Sequence, residues 1–299
     1  MSFISTARKA ANILISPWLY MAFRTSRRPG FRTAALKCDP YNARAVADGV
    51  QSGVHTYVVH KLLQAFMLAG RISGPRVSLI MENIEKSTSQ FMLLQDLFVL
   101  MVLGGQRNGY FVEVGVGDGR YLSNTYLLEK EFGFSGLLLE PNRAFHESIR
   151  ANRTAYLDER AAFSQSDRVL TFVANERMGE LSKLADANDM ETDARKGLAY
   201  EVRTVTLQDA LAAQNAPSII DYVSIDTEGS EEEVLRGLNL ADRRVKVFTI
   251  EHNGEEQRRR RFAHILQPHG YVRILSDLSL VDDWYVHETL CRDFLALLR

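Results

Sequence analysis

The stretch Tyr110–Arg120, YFVEVGVGDGR, narrows the fold of this chain more than any other. An apolar run ends in an acid, Glu113, and passes straight into glycines at 115, 117 and 119. Only glycine lets a backbone turn this tightly while a ligand approaches its amides. A helical pattern follows over Tyr121–Phe132. Strand, glycine turn and helix N-terminus make the nucleotide entrance of a doubly wound α/β sheet. The spacing is G-x-G-x-G, not the G-x-G-x-x-G that sets a helix against a pyrophosphate. An acid ahead of such a turn suits a ligand carrying an ammonium group.

From Gly109 onward the pattern alternates between strands and helices. Strands are expected at Tyr110–Val114, Gly136–Glu140, Arg160–Phe163, Tyr200–Val205, Ile219–Ile225 and Val245–Glu251, with late strands at Tyr271–Leu275 and Trp284–Val286. Val169–Val173 reads as a hairpin insertion. Helices are expected at Ser123–Phe132, Ala144–Asn152, Leu207–Ala213, Glu231–Leu238 and Glu255–Gln267. Such alternation argues for a parallel sheet with helices on both faces. The closely spaced late pair adds an antiparallel edge. Upstream, Val54–Ala69 and Ser89–Leu103 carry helical apolar periodicity. The chain therefore divides into a leader (1–40), a helical N-terminal region (41–104) and a ligand-binding α/β domain (105–299).

Charge and cysteine content exclude several classes. The net charge is −1, so no overall field points to nucleic acid. The total hides an asymmetry: Met1–Cys38 holds seven Lys or Arg and no acid. An apolar stretch so flanked can lie on an anionic membrane surface, or pack as a helix on the protein. Cys38 and Cys291 make neither a metal spacing nor a disulfide framework, which points to reduced thiols and a cytoplasmic setting. His55, His60, His264 and His269 have no ligand-like spacing. Arg258–Arg261 sits in a helical pattern and reads first as a solvated face.

In an open α/β sheet, ligands bind beyond the carboxyl ends of the strands. Four strands here end in acids or polar groups: Glu113, Glu140, Asp226, and Glu251 with His252. Glu140, 27 residues after Glu113, is placed to accept the ribose hydroxyls of an adenosine. Asp226 and Glu228 flank one strand tip, where two acids repel unless something positive sits there. That something is a cationic ligand, a metal or a substrate proton. Ser230 and Glu233 have the spacing of a capping box, and Gly237 suits a helix C-terminus. His252 beside Glu251 is a reasonable general base. Trp284 and Tyr285 suit either an edge strand or an aromatic platform for a sugar.

YFVEVGVGDG, LSNTYLLEKEFGFSGLLLEPN, IDYVSIDTEGSEEEVL, VFTIEHN and DDWYV occur in the order found in FkbM-type S-adenosylmethionine-dependent methyltransferases, which this chain resembles over about Ser89–Val286. The resemblance implies a class I methyltransferase fold: a Rossmann-like, doubly wound, mostly parallel seven-stranded sheet with an antiparallel edge, here preceded by the helical N-terminal region. It implies S-adenosylmethionine as methyl donor and O-methylation of a hydroxyl on a sugar, glycan, glycolipid or secondary metabolite. Carried onto this chain, the cofactor turn is Glu113, Gly115, Gly117 and Asp118, and Glu140 is the ribose acid. Ala162, within Ala161–Ser164, lies along the adenine, and Asp226 closes the methionine end. Val116 departs from the small residue frequent there.

The mechanism expected is in-line transfer, with His252 as base, Glu251 or Glu228 orienting it, and Asp226 near the sulfonium. A variant has Asp226, Glu228 and Glu251 binding a divalent cation. The expected partner is a hydroxyl-bearing small molecule or glycan. Peripheral membrane contact through residues 1–37 and a homo-oligomer are further readings. A nucleotide-binding oxidoreductase and a catalytically idle interaction module are the rival classes.

Overall fold

Strand one, β1 (Tyr110–Val114), lies between β2 (Ser135–Leu139) and β8 (Ile219–Ile225), parallel to both. The three are nearly continuous apolar runs, as strands covered on both faces require. In this computed structural model the described residues are 79, 82–83, 86–89, 94–175, 183–184, 197–276, 279 and 281–290. The leader 1–40, the expected helix Val54–Ala69, His55, His60, Cys38, Cys291 and Phe91–Leu93 lie outside them.

The main sheet has seven strands in the order β10-β11-β9-β8-β1-β2-β3. It is completed by β3 (Tyr156–Asp158), β9 (Arg244–Glu251), β10 (Tyr271–Ile274) and β11 (Asp282–His287). All neighbours run parallel except β11, which is antiparallel to both β9 and β10. The expected antiparallel feature is present, but β11 lies inside the sheet and β10 forms the edge. Trp284 and Tyr285 are fully buried there, so neither serves as a platform.

The third strand also differs from expectation. It is Tyr156–Asp158, pairing with β2, whereas Ala161–Ala162 forms β4 in a separate four-stranded sheet. That sheet has the order β4-β7-β5-β6, with β5 (Val169–Asn175), β6 (Lys183–Leu184) and β7 (Gly197–Val205). β5 and β7 pair antiparallel, which is the insertion that Val169–Val173 announced. Asp158 explains the break between β3 and β4: its Oδ1 accepts from the Arg160 amide, bending the chain out of the main sheet.

Two faces cover the sheet. On one, Val112, Val114, Val223, Ile225, Phe248 and Ile250 form a core with helices α4 (Leu207–Ala213), α5 (Glu231–Arg236) and α6 (Glu256–Leu266). Strand alternation sends Glu113, Ser224, Thr249, Glu251, Asp282 and Trp284 to the other face. There α1 (Gln95–Val102) packs through Phe98, stacked on Trp284 with ring centroids 4.3 Å apart. Helix α2 (Tyr126–Phe132) follows the glycine turn, and α3 (His146–Asn152) follows β2. No helix among the described residues is long and apolar enough to cross a membrane.

Candidate active site

The glycine turn is fixed by close backbone approach. Gly115 has φ +80, and a Cβ there would sit 1.7 Å from the carbonyl oxygen of Asp226. Its amide donates to the Leu139 carbonyl at 3.0 Å, and the Asp226 amide donates to Val114. The turn thus joins the tips of β1, β2 and β8 without room for any side chain. Gly117 is also left-handed, with φ +56.

Glu140 reaches under this turn. Its Oε2 accepts from the amides of Val116 at 2.8 Å and Gly117 at 3.0 Å, and its Oε1 accepts from Asn142 at 2.8 Å. The carboxylate is buried, and desolvation pushes it up to about 7 against those three hydrogen bonds. It holds the glycine turn in place and keeps acceptor capacity at Oε1 for one further donor.

Glu113 is also buried, but faces inward. Its Oε1 takes the Asn124 amide at 2.6 Å; its Oε2 takes Ser123 Oγ, Thr125 Oγ1 and Arg153 Nη1. Arg153 is itself fully buried and also pairs with Glu129. A carboxylate with its lone pairs so engaged anchors the loop between the turn and α2. Its expected role toward an ammonium group would fall to Oε1, which takes a single donor. Asp118 acts as a turn residue, its Oδ1 accepting from the amides of Arg120 and Tyr121. Ala162 is buried in the core beside Val205 and presents no polar contact.

The tips of β8 and β9 carry the densest charge. Oxygens of Asp226, Glu228 and Glu251 all lie within 4.8 Å of one another. Asp226 and Glu251 share a side-chain hydrogen bond. Burial first, then the charges of Asp226 and Glu228, push Glu251 up to about 11, so one proton resides there at neutral pH. Burial and Asp226 push Glu228 up to about 7. Asn253 Nδ2 donates to Glu251 at 2.8 Å and Glu228 at 3.4 Å. Glu228 takes this position with φ +56, which is costly for a residue bearing a Cβ. The grouping fits a cation: three carboxyl groups, which hold a proton between them in its absence, converge beside one neutral amide.

His252 turns the other way. Its Nδ1 accepts from the Gly254 amide at 2.9 Å, and Nε2 is buried with no hydrogen-bond partner, 3.9 Å from Asp283 Oδ1. Burial lowers its pKa. Period-two alternation is the reason, because Glu251 faces one side of the sheet and His252 the other. The expected pairing of His252 with Glu251 or Glu228 is not formed. Asp283 is occupied by Arg259 at 3.2 Å and Arg273 at 3.5 Å.

Helix α5 ends at Gly237 as expected, but the expected capping box at its start is not formed. Ser230 makes no capping hydrogen bond; Glu231 Oε1 instead accepts from the amides of Thr227 and Gly229, and Ser164 Oγ donates to Glu233. Gly237 has ordinary φ, and glycine is needed because a Cβ would sit 2.4 Å from the Phe163 carbonyl oxygen. The arginines of α6 are paired: Arg258 with Glu231, Arg259 with Asp283, and Arg261 with Glu232.

Sequence reasoning did not single out Asp282 or Gln95 as site neighbours. Asp282 lies opposite Glu251 in the β9–β11 register, which only the strand order reveals.

Six parallel strands, with a reversed seventh inserted between the fifth and sixth, are the architecture of class I methyltransferases. The open strand tips that carry the acids lie at the carboxyl edge of that sheet. The Methyltransferase FkbM domain model matches residues 113–273, more than half of the chain, and the chain belongs to that family. No curated protein matches it. Among solved structures, it is similar to precorrin-6y C5,15-methyltransferase from Geobacter metallireducens GS-15, at 14% identity over 64% of this chain and 84% of that one, with a TM-score of 0.34. It is also similar to the METTL16 MTase domain, at 14% identity over 79% of each chain, with a TM-score of 0.37.

Proposed function

We propose that this protein is an S-adenosylmethionine-dependent O-methyltransferase acting on a hydroxyl of a sugar, glycan, glycolipid or secondary metabolite. One observation carries the reading: Asp226, Glu228 and Glu251 converge within 4.8 Å at the strand tips next to the Gly115 turn. Such a set attracts a cation and can take up a proton. The bound donor supplies an activated methyl group, whose transfer leaves a neutral thioether. The protein's own residues then have three tasks. Glu140 holds the turn and offers its remaining acceptor site to a ribose hydroxyl. The Asp226–Glu251 pair, sharing one proton, faces the positive charge. Glu228, half-buried and at about 7, accepts the acceptor's hydroxyl proton.

Calorimetric titration of S-adenosylmethionine and NAD into the full chain separates this reading from the oxidoreductase. The nicotinamide should give no heat. A screen of host glycans and secondary metabolites, read by mass spectrometry for the gain of a methyl group, then finds the acceptor. Failure to bind either S-adenosylmethionine or S-adenosylhomocysteine would leave an idle interaction module instead.

A divalent cation at the same three carboxylates is a second reading, favoured by their spacing. It would polarise the acceptor hydroxyl. Transfer unaffected by a chelator removes it.

A further inference from the structure

The amino ends of the strands, at the sheet edge opposite the acidic tips, frame an open cavity of about 400 Å³. Ile219 opens β8, Arg244 opens β9 and Tyr271 opens β10. The reversed β11 arrives there with its last residue, His287. Ser218, Leu240, Asp242 and His269 complete the wall. The length of β9 sets this edge on the order of 20 Å from Glu251. The volume lies within the range of small-molecule sites.

Arg244 brings a permanent positive charge to this wall. Its backbone amide donates to the Ser218 carbonyl at 3.0 Å. Its guanidinium has neither an ion pair nor a hydrogen bond among the described residues. The adjacent Arg243 differs, since its Nη1 donates to the carbonyls of Ala216 and Pro217, both at 2.9 Å. The charge of Arg244 is felt at His287. That imidazole is held firmly: Nδ1 accepts from the Thr289 amide at 3.3 Å and from its hydroxyl at 2.8 Å, and Tyr271 packs edge-on at 5.1 Å. The Tyr271 ring is itself fixed, because its hydroxyl accepts from the Val245 amide at 3.0 Å. An Nδ1 that accepts leaves the proton of a neutral ring on Nε2. Burial, then Arg244, lower the pKa of His287, which keeps the ring in that neutral form. Nε2 is therefore a donor without a partner among the described residues.

These two donors stand beside open hydrocarbon. Ile219 is 40% exposed, although the rest of β8 is buried, and Leu240 is half-buried. Asp242 is the one acid of the wall, and its Oδ2 accepts from Asn239 Nδ2 at 2.6 Å. One guanidinium beside one acid suits a single negative charge better than a double one. A planar carboxylate also matches the fork of the guanidinium. We propose that this cavity binds a small carboxylate with an apolar body: Arg244 and the His287 Nε2–H hold the anionic end, and Ile219 and Leu240 cover the hydrocarbon. The site shares no residue with the strand tips, so it stands whether or not S-adenosylmethionine binds there.

Benzoate, benzyl alcohol and benzylamine share a ring and differ in charge. Each is titrated calorimetrically into the full chain at low ionic strength, with circular dichroism to check the fold of every variant. Benzoate should bind saturably with a Kd of ~1 mM, and the other two about tenfold more weakly or not at all. Arg244→Gln, at an exposed position with no partner to lose, should weaken benzoate about tenfold and leave the melting temperature unchanged. Ile219→Glu sets another acid against the ligand and should abolish binding; it decides the matter should Arg244→Gln unfold. The proposal is overturned by any of four results: no saturable heat from benzoate, equal binding of the three probes, inorganic phosphate bound more tightly than benzoate, or wild-type affinity in the folded variants.

Discussion

Glu113 and Glu140 are acids at the ends of neighbouring strands, yet they meet different surroundings. Glu113 faces Arg153 and the α2 loop, whereas Glu140 reaches back beneath the glycine turn. Nothing in their own positions distinguished them, because the difference comes from Arg153, forty residues downstream of Glu113. His252 shows the same limit. A histidine beside an acid looked like a base, but adjacent strand residues face opposite ways. The prediction is that His252→Ala keeps methyl transfer to any identified acceptor within a few-fold of wild type, and loses stability through the space its buried ring leaves. Asp226→Asn should fold normally and lose most of its transfer activity, measured in the same assay. Gly115→Ala has no such tolerance: a Cβ 1.7 Å from the Asp226 carbonyl oxygen, at φ +80, forces the β1 and β8 tips apart. It should cost on the order of 3–5 kcal/mol in denaturant unfolding, or prevent folding.

At the scale of elements, periodicity located β1, β2, β8 and β9 to within a residue or two. Their apolar runs are long, and burial on both faces leaves little ambiguity. It misplaced the third strand because Tyr156–Asp158 is short and borders the equally short Ala161–Ala162. Only pairing partners separate them, β2 for one and β7 for the other. Helix α1 carries a testable electrostatic feature. Asp96, fully buried in its first turn, is pushed by desolvation up to about 7, despite hydrogen bonds from Ser87 and Leu97. Its folded-state pKa lies above the unfolded one, so the unfolded chain binds fewer protons between about pH 4 and pH 7. Stability therefore falls as pH rises through that window. Asp96→Asn should flatten this slope in thermal melts from pH 4.5 to 8, and raise stability at the alkaline end by on the order of a few kcal/mol.

For the whole molecule, the matched family segment is smaller than the folding unit. Residues 113–273 omit β11, α1 and the start of β1. Without β11, β9 and β10 have no partner to join them, and Trp284, Tyr285 and Val286 are lost from the core. A fragment of residues 113–273 should be unfolded by circular dichroism. The same comparison shows what sequence reading could reach. Motif order announced the sheet and the acids at its edge, because short-range patterns encode strand ends. It was silent on Gln95 and Asp282, which meet across a separation of 187 residues.

The placement of β11 between β9 and β10 also has a consequence for biogenesis. A ribosome delivers β10 first, when the slot that will separate it from β9 is still empty. Until Asp282–His287 emerges, β9 presents a bare, apolar flank to chaperones or to its neighbours on a polysome. Interrupted translation before Asp282–His287 is made would therefore yield a sticky, nearly finished sheet, rather than a slightly shortened protein.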